Sequence, residues 1–174
     1  NDITFKDLTI ENNAAPLGQA VALHTEGDRL MFVNCRFLGN QDTIYTGTEG
    51  ARLLFTNCYI EGTTDFIFGP STALFEYCEL HSKRDSYITA ASTPQNIEFG
   101  YVFKNCKLTA APGVKKVYLG RPWRPEGKTA VLDCRLGAHI APEGFIAWND
   151  RTDTGLASFA EADSTGPGAA ERPA

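Results

Sequence analysis

A six-residue pattern, apolar-x-Asn/Asp-Cys-x-apolar, recurs along the chain and limits the available folds more than any other feature. Phe32-Val33-Asn34-Cys35-Arg36-Phe37, Phe55-Thr56-Asn57-Cys58-Tyr59-Ile60 and Phe103-Lys104-Asn105-Cys106-Lys107-Leu108 are its clearest copies. Phe75-Glu76-Tyr77-Cys78-Glu79-Leu80 and Val131-Leu132-Asp133-Cys134-Arg135-Leu136 are looser, and Phe5-Lys6-Asp7-Leu8-Thr9-Ile10 carries leucine at the cysteine position. The cysteine position thus recurs at 8, 35, 58, 78, 106 and 134. Units of roughly 20–28 residues suit a solenoid, in which each repeat buries its apolar side against the next. Short stretches alternate apolar and polar residues as strands do, and no long stretch has the helical period. Gly39-Asn40, Gly47, Gly50, Pro70 and Pro94-Gln95-Asn96 punctuate the gaps. Leucine-rich repeats share the period but need a leucine scaffold that is missing. The predicted fold is therefore all-β, a right-handed parallel β-helix of about six coils with one repeat per coil. The parity of the template's two apolar positions and its cysteine turns on whether the strand bends there. The pattern leaves open which of them face inward.

Five cysteines, an odd number, cannot all pair within one chain, and none has C-x-x-C spacing. In a stack, corresponding side chains lie about 4.8 Å apart, so the cysteines form a ladder of small, soft side chains. Their parallel Cβ vectors would strain a disulfide, and free structural thiols are expected. Asn34, Asn57 and Asn105 are expected to form a turn ladder. Sixteen basic against 21 acidic residues leave a net charge of −5. No Lys/Arg run stands above that background, which argues against nucleic acid as a partner. Apolar runs fall far short of the roughly 20 residues of a membrane span. Aromatic residues make up 11% of the chain, too many for a disordered segment.

The repeat also makes a statement about chemistry. Asp42 lies seven residues after Cys35, and Asp65 seven after Cys58, in consecutive coils. Equal offsets put both carboxylates side by side on one face, each with apolar and aromatic flanks. Two like charges about 5 Å apart in a partly dry site do not both ionise easily, so one pKa is expected to rise and the other to fall. Such a pair supplies an acid and an anion for hydrolysis. Asp85 also lies seven residues after Cys78, but Ser82-Lys83-Arg84-Asp85-Ser86 is polar throughout and reads as a solvated turn. Other constellations fail. Gly69-Pro70-Ser71-Thr72-Ala73 lacks the second glycine of a nucleophile elbow. His24, His81 and His139 have no zinc spacing. No glycine-rich phosphate loop is present, and no metal site is expected, although Asn149-Asp150-Arg151-Thr152-Asp153 could hold an ion weakly.

Four motifs resemble the pectin methylesterase (pectinesterase) family: Gly18-Gln19-Ala20-Val21-Ala22-Leu23, Gln41-Asp42-Thr43-Ile44-Tyr45, Asp65-Phe66-Ile67-Phe68-Gly69 and Leu119-Gly120-Arg121-Pro122-Trp123. They occur in the family's order and approximate spacing. Tyr87-Ile88-Thr89-Ala90, Gly144-Phe145-Ile146-Ala147-Trp148 and Gly166-Pro167-Gly168-Ala169 add to the likeness, with Phe145 where the family commonly has Trp. The resemblance covers essentially all of 1–174. It implies a β-helix that removes methyl groups from pectin without a metal or organic cofactor. The family's G-x-Y-x-E motif and opening coils have no counterpart, so the chain is expected to be a partial catalytic domain, with residues 150–174 packing on the helix.

By the same resemblance, Asp65 is the nucleophile, and Gln19 and Gln41 donate to the oxyanion. Asp42 is the general acid and then the base. Arg121 pairs with Asp65. Trp123, Tyr45, Phe68 and Trp148 line the sugar groove. The expected partner is methyl-esterified homogalacturonan, with no nucleic acid and no membrane, and the expected state is a secreted monomer. Two other readings stay open: a non-catalytic module binding acidic polysaccharide, and a lyase or polygalacturonase on the same solenoid. Methanol release without new reducing ends or unsaturated products separates the esterase from both.

Overall fold

The template bends where its first apolar residue and its cysteine need it to. Asp7, Asn34, Asn57, Tyr77, Asn105 and Asp133 all have φ between 52° and 55°. That left-handed conformation suits Asn and Asp, whose short polar side chains bond locally. One such residue per repeat turns the chain between two strands, so Phe32, Cys35 and Phe37 all face inward and are buried. In this row Asn34 Nδ2 donates to Asp7 Oδ1 at 2.6 Å.

The structure, a computed structural model, describes residues 1–149 and 156–169. Three parallel sheets build the described part. The first holds β1 (Ile3–Lys6), β4 (Leu30–Val33), β7 (Arg52–Thr56), β10 (Thr72–Glu76), β13 (Tyr101–Lys104), β16 (Lys128–Leu132) and β18 (Ser158–Ala162). The second holds β2 (Thr9–Glu11), β5 (Arg36–Leu38), β8 (Tyr59–Gly62), β11 (Glu79–Ser82), β14 (Lys107–Ala110) and β17 (Arg135–Leu136). The third holds β3 (Leu23–Thr25), β6 (Ile44–Thr46), β9 (Ile67–Gly69), β12 (Tyr87–Ala91) and β15 (Tyr118–Pro122). Each strand pairs with the third strand on, so three strands make one coil of a β-solenoid of about six turns. The register departs from that rule at the end, where β18 pairs with β16. No α-helix occurs among the described residues, and none there is long and apolar enough to cross a membrane. Of the acidic run 149–153, all but Asn149 lies outside them.

Like stacks on like inside the solenoid. Phe5, Phe32, Phe55, Phe75 and Phe103 occupy one row, with successive ring centroids 5.0, 4.7, 4.7 and 4.6 Å apart. These distances match the spacing between paired strands, so the ladder hydrogen bonds also set the ring stacking. All five cysteines are buried and free. Cys58, Cys78 and Cys106 each direct Sγ at the carbonyl of the phenylalanine one coil back, at 3.4, 3.4 and 3.3 Å. The thiols therefore fill the core as small hydrophobes with a weak donor to place.

Candidate active site

Whether equal offsets bring side chains together depends on whether the intervening loop keeps its length. From the second coil to the third it does: Arg36 aligns with Tyr59 and Ile44 with Ile67, the same step along the chain in both strands. Asp42 and Asp65, just ahead of β6 and β9, therefore sit one above the other. Asp42 N–H donates to the Thr64 carbonyl at 3.0 Å, and Asp65 N–H to the Tyr87 carbonyl at 2.9 Å. Both residues are left-handed, with φ of 65° and 48°. Each carboxyl thus projects from the tight turn before a strand, onto the outer face of the third sheet.

The next coil breaks the offset. Ile60 aligns with Leu80, whereas Ile67 aligns with Thr89, so the second step is longer by two positions. The extra pair enters at 83–86, and Tyr87 rather than Asp85 occupies the carboxylate row. Asp85 stays exposed and accepts the N–H groups of Lys115 and Lys116 at 2.6 and 3.0 Å, tying down the following loop.

Arg121 reaches the pair from β15. Its backbone aligns with Ala90 of β12, which aligns with Phe68 of β9. The small side chain of Ala90 leaves the long arginine a path back over the intervening coil. Nε donates to Asp65 Oδ1 at 3.0 Å and Nη2 to Oδ2 at 2.6 Å, a two-pronged pairing that fits a planar fork to a carboxylate. The Arg121 and Asp65 side chains are 13% and 7% exposed, so solvent screens the pair little. Tyr87 and Trp148 lie over the guanidinium, with ring centroids 3.9 and 4.0 Å from Cζ.

The electrostatics depart from a simple split. Burial pushes Asp42 up to about 6, helped by the charge of Asp65, against hydrogen bonds from the Gln19 and Gln41 amides and the charge of Arg121. Asp65 is also raised by burial, and its bonds to Arg121 pull it back only in part. The expectation of one rise and one fall is thus corrected: both rise, because both are buried. Their partners tell them apart. Asp65 faces a permanent cation and carries the negative charge that Asp42 feels, whereas Asp42 faces neutral amides and keeps its proton to higher pH.

Gln19 and Gln41 come together through an isolated parallel bridge between their backbones. Both side chains are directed at the Asp42 carboxyl, and each NH₂ retains a second donor. Tyr45 stacks on Phe68 at 4.7 Å, and Phe68 meets Trp123 edge-on at 5.8 Å. His24 extends this row, 4.7 Å from Tyr45. Trp148, expected among the groove aromatics, lies against Arg121. Sequence reasoning missed His24 and Tyr87. Alternation within β3 marks His24 as facing the same way as Tyr45, but Tyr87 was hidden by the inserted residues. Among the described residues, no three His, Cys, Asp or Glu side chains converge as a metal site.

The Pectinesterase family model matches residues 1–173. Pectinesterase 31 of Arabidopsis thaliana is 41% identical over 169 residues, which are 96% of this chain and 53% of that protein. Pectin methylesterase from carrot superposes with a TM-score of 0.89 at 31% identity, over 96% of this chain and 56% of the carrot chain. A pectin methylesterase solved in complex with a hexasaccharide gives 0.80 at 29% identity, over 97% of this chain and 63% of its own. The chain spans about half the length of Pectinesterase 31 and less of other curated relatives.

Proposed function

The chain belongs to the pectinesterase family, and we propose that it carries the reaction centre for hydrolysing the C6 methyl esters of pectin to pectate and methanol. The observation that carries this reading is a buried carboxylate held at both oxygens by Arg121, beside a second carboxyl whose pKa lies near 6. A reaction that needs a nucleophilic anion and a proton donor in one small volume finds both there.

Asp65 attacks the ester carbonyl carbon, and the carbonyl π electrons move onto oxygen. The free N–H of Gln19 or Gln41 donates to that oxyanion, and a neutral amide does so at any working pH. Collapse expels methoxide, which takes the Asp42 proton and leaves as methanol. The galacturonyl group is then joined to Asp65 as an anhydride. Asp42, now ionised, removes a proton from water, and the resulting hydroxide attacks the same carbon. Asp65 departs as carboxylate, and Asp42 ends protonated, as it began.

The ring row His24, Tyr45, Phe68 and Trp123 runs across successive coils beside the carboxylates, a surface on which sugar rings stack. A net charge of −5 favours neutral, methylated stretches over the anionic product. No metal or organic cofactor has a role in these steps. We place the protein outside the cell, where its polymer substrate is, and working as a monomer. The ring row also suits a module that binds polysaccharide without reacting, and methanol decides between the two. The full chain is expected to release methanol from methylated pectin, and Asp65→Asn to lose at least about 10³-fold while remaining folded by circular dichroism. Asp85→Asn, outside the row, is expected to match wild type. Normal turnover by Asp65→Asn would sink the assignment.

A further inference from the structure

We propose that Tyr87 and Trp148 are positioning residues that pack against the Arg121 guanidinium and so hold Asp65 in its reactive orientation. This rests on the reading of Asp65 as nucleophile. A guanidinium donates from its edges and is poorly hydrated on its faces. In Arg121 one edge is engaged, Nε and Nη2 with Asp65 at 3.0 and 2.6 Å. Tyr87 and Trp148 lie against the guanidinium, with ring centroids 3.9 and 4.0 Å from Cζ.

Tyr87 contacts both halves of the ion pair. Its ring lies on the arginine, and its carbonyl accepts the Asp65 N–H at 2.9 Å, bracing the left-handed turn from which that carboxyl projects. The ring is itself backed by Tyr118, 5.6 Å away at 22°, and Lys116 Nζ stands 5.4 Å from the Tyr118 ring. A stack of rings and cations therefore runs along the outer face from Trp148 to Lys116. Without the rings, Arg121 would be a long side chain crossing a coil, free to change rotamer and open to water around its bonds to Asp65. Water there would weaken the pairing and let Asp65 turn away from the ester. The clamp also accounts for the place of Trp148, whose ring lies on the arginine.

The test compares Tyr87→Leu, Tyr87→Phe, Trp148→Leu and Asp65→Asn in the full chain, measuring kcat, KM on methylated pectin, the pH profile and thermal melting. Tyr87→Leu and Trp148→Leu are each expected to lower kcat roughly tenfold with little change in KM. Arg121 lowers the Asp65 pKa, so a loosened clamp lets that pKa climb, and the acidic limb of the profile moves to higher pH. Tyr87→Phe keeps the ring face and restores most of the rate. A folded Tyr87→Leu with wild-type kcat and an unmoved acidic limb overturns the proposal. A Trp148→Leu effect on KM alone returns that ring to substrate stacking and overturns its half of the clamp. Should Tyr87→Leu fail to fold, Trp148→Leu, in a surface loop, carries the test through its acidic limb. Normal turnover by Asp65→Asn defeats the underlying mechanism whatever the rings do. An inert Asp65→Asn beside a wild-type Tyr87→Leu defeats the clamp alone.

Discussion

The inside and the outside of this solenoid are built by one operation with opposite consequences. Strand pairing sets equivalent residues about 4.8 Å apart. Within the core it lays Phe55 between Phe32 and Phe75, and each added coil extends a favourable stack. On the outer face of the third sheet it lays Asp42 over Asp65, where repetition costs energy because burial and like charge disfavour ionising both. The interior is therefore repeated from coil to coil, whereas the carboxylate row is interrupted after two members. Tyr87 follows where a third acid would be, and an arginine from a further coil supplies the opposite charge. Repetition builds the scaffold, and its interruption permits a site.

Three substitutions would break or sharpen that contrast. Asp42→Asn is expected to reduce methanol release by about 10²–10⁴ while raising stability. The sign follows from the folded pKa of about 6 against an ordinary 3.8. A raised carboxyl contributes stability that is complete below 3.8 and lost as pH rises through 6. The variant should thus melt a few degrees above wild type at pH 7–8 and show no such gain at pH 4. Phe55→Ala tests the inner row and should lose about 3–5 kcal/mol of unfolding free energy in denaturant melts. Its kcat per folded molecule should hold, which separates core from chemistry. The smallest effect concerns Tyr77, a bulky residue at φ 54° where other repeats place Asn or Asp. Tyr77→Asn should stabilise by about 1 kcal/mol, since Asn accepts the left-handed conformation more readily. A loss there would mean that the ring, 57% exposed, packs usefully on its turn.

The pKa pair shows where sequence reasoning stopped. Adjacency of Asp42 and Asp65 followed from equal offsets, and it holds because the chain advances equally from Arg36 to Ile44 and from Tyr59 to Ile67. The sign of the second shift did not follow, because it depends on how deeply Asp65 is buried and how far Arg121 compensates. Asp85 had the same offset and a different outcome, decided by two inserted residues whose effect on register the spacing does not reveal.

Sequence by itself determined the period, the stacking of equivalent residues, the free thiols and the proximity of two acids, because strand pairing converts a linear repeat into neighbours at fixed spacing. The tertiary structure decided what the repeat does not encode. Among these are the left-handed bend at Asn34 and its equivalents, the reach of Arg121 across Ala90, and the closing of Tyr87 and Trp148 on its faces. The physical reason is one of range. Ladder hydrogen bonds act between adjacent coils and follow from spacing, whereas a long charged side chain crossing a coil takes its partner from whatever the loops leave within reach.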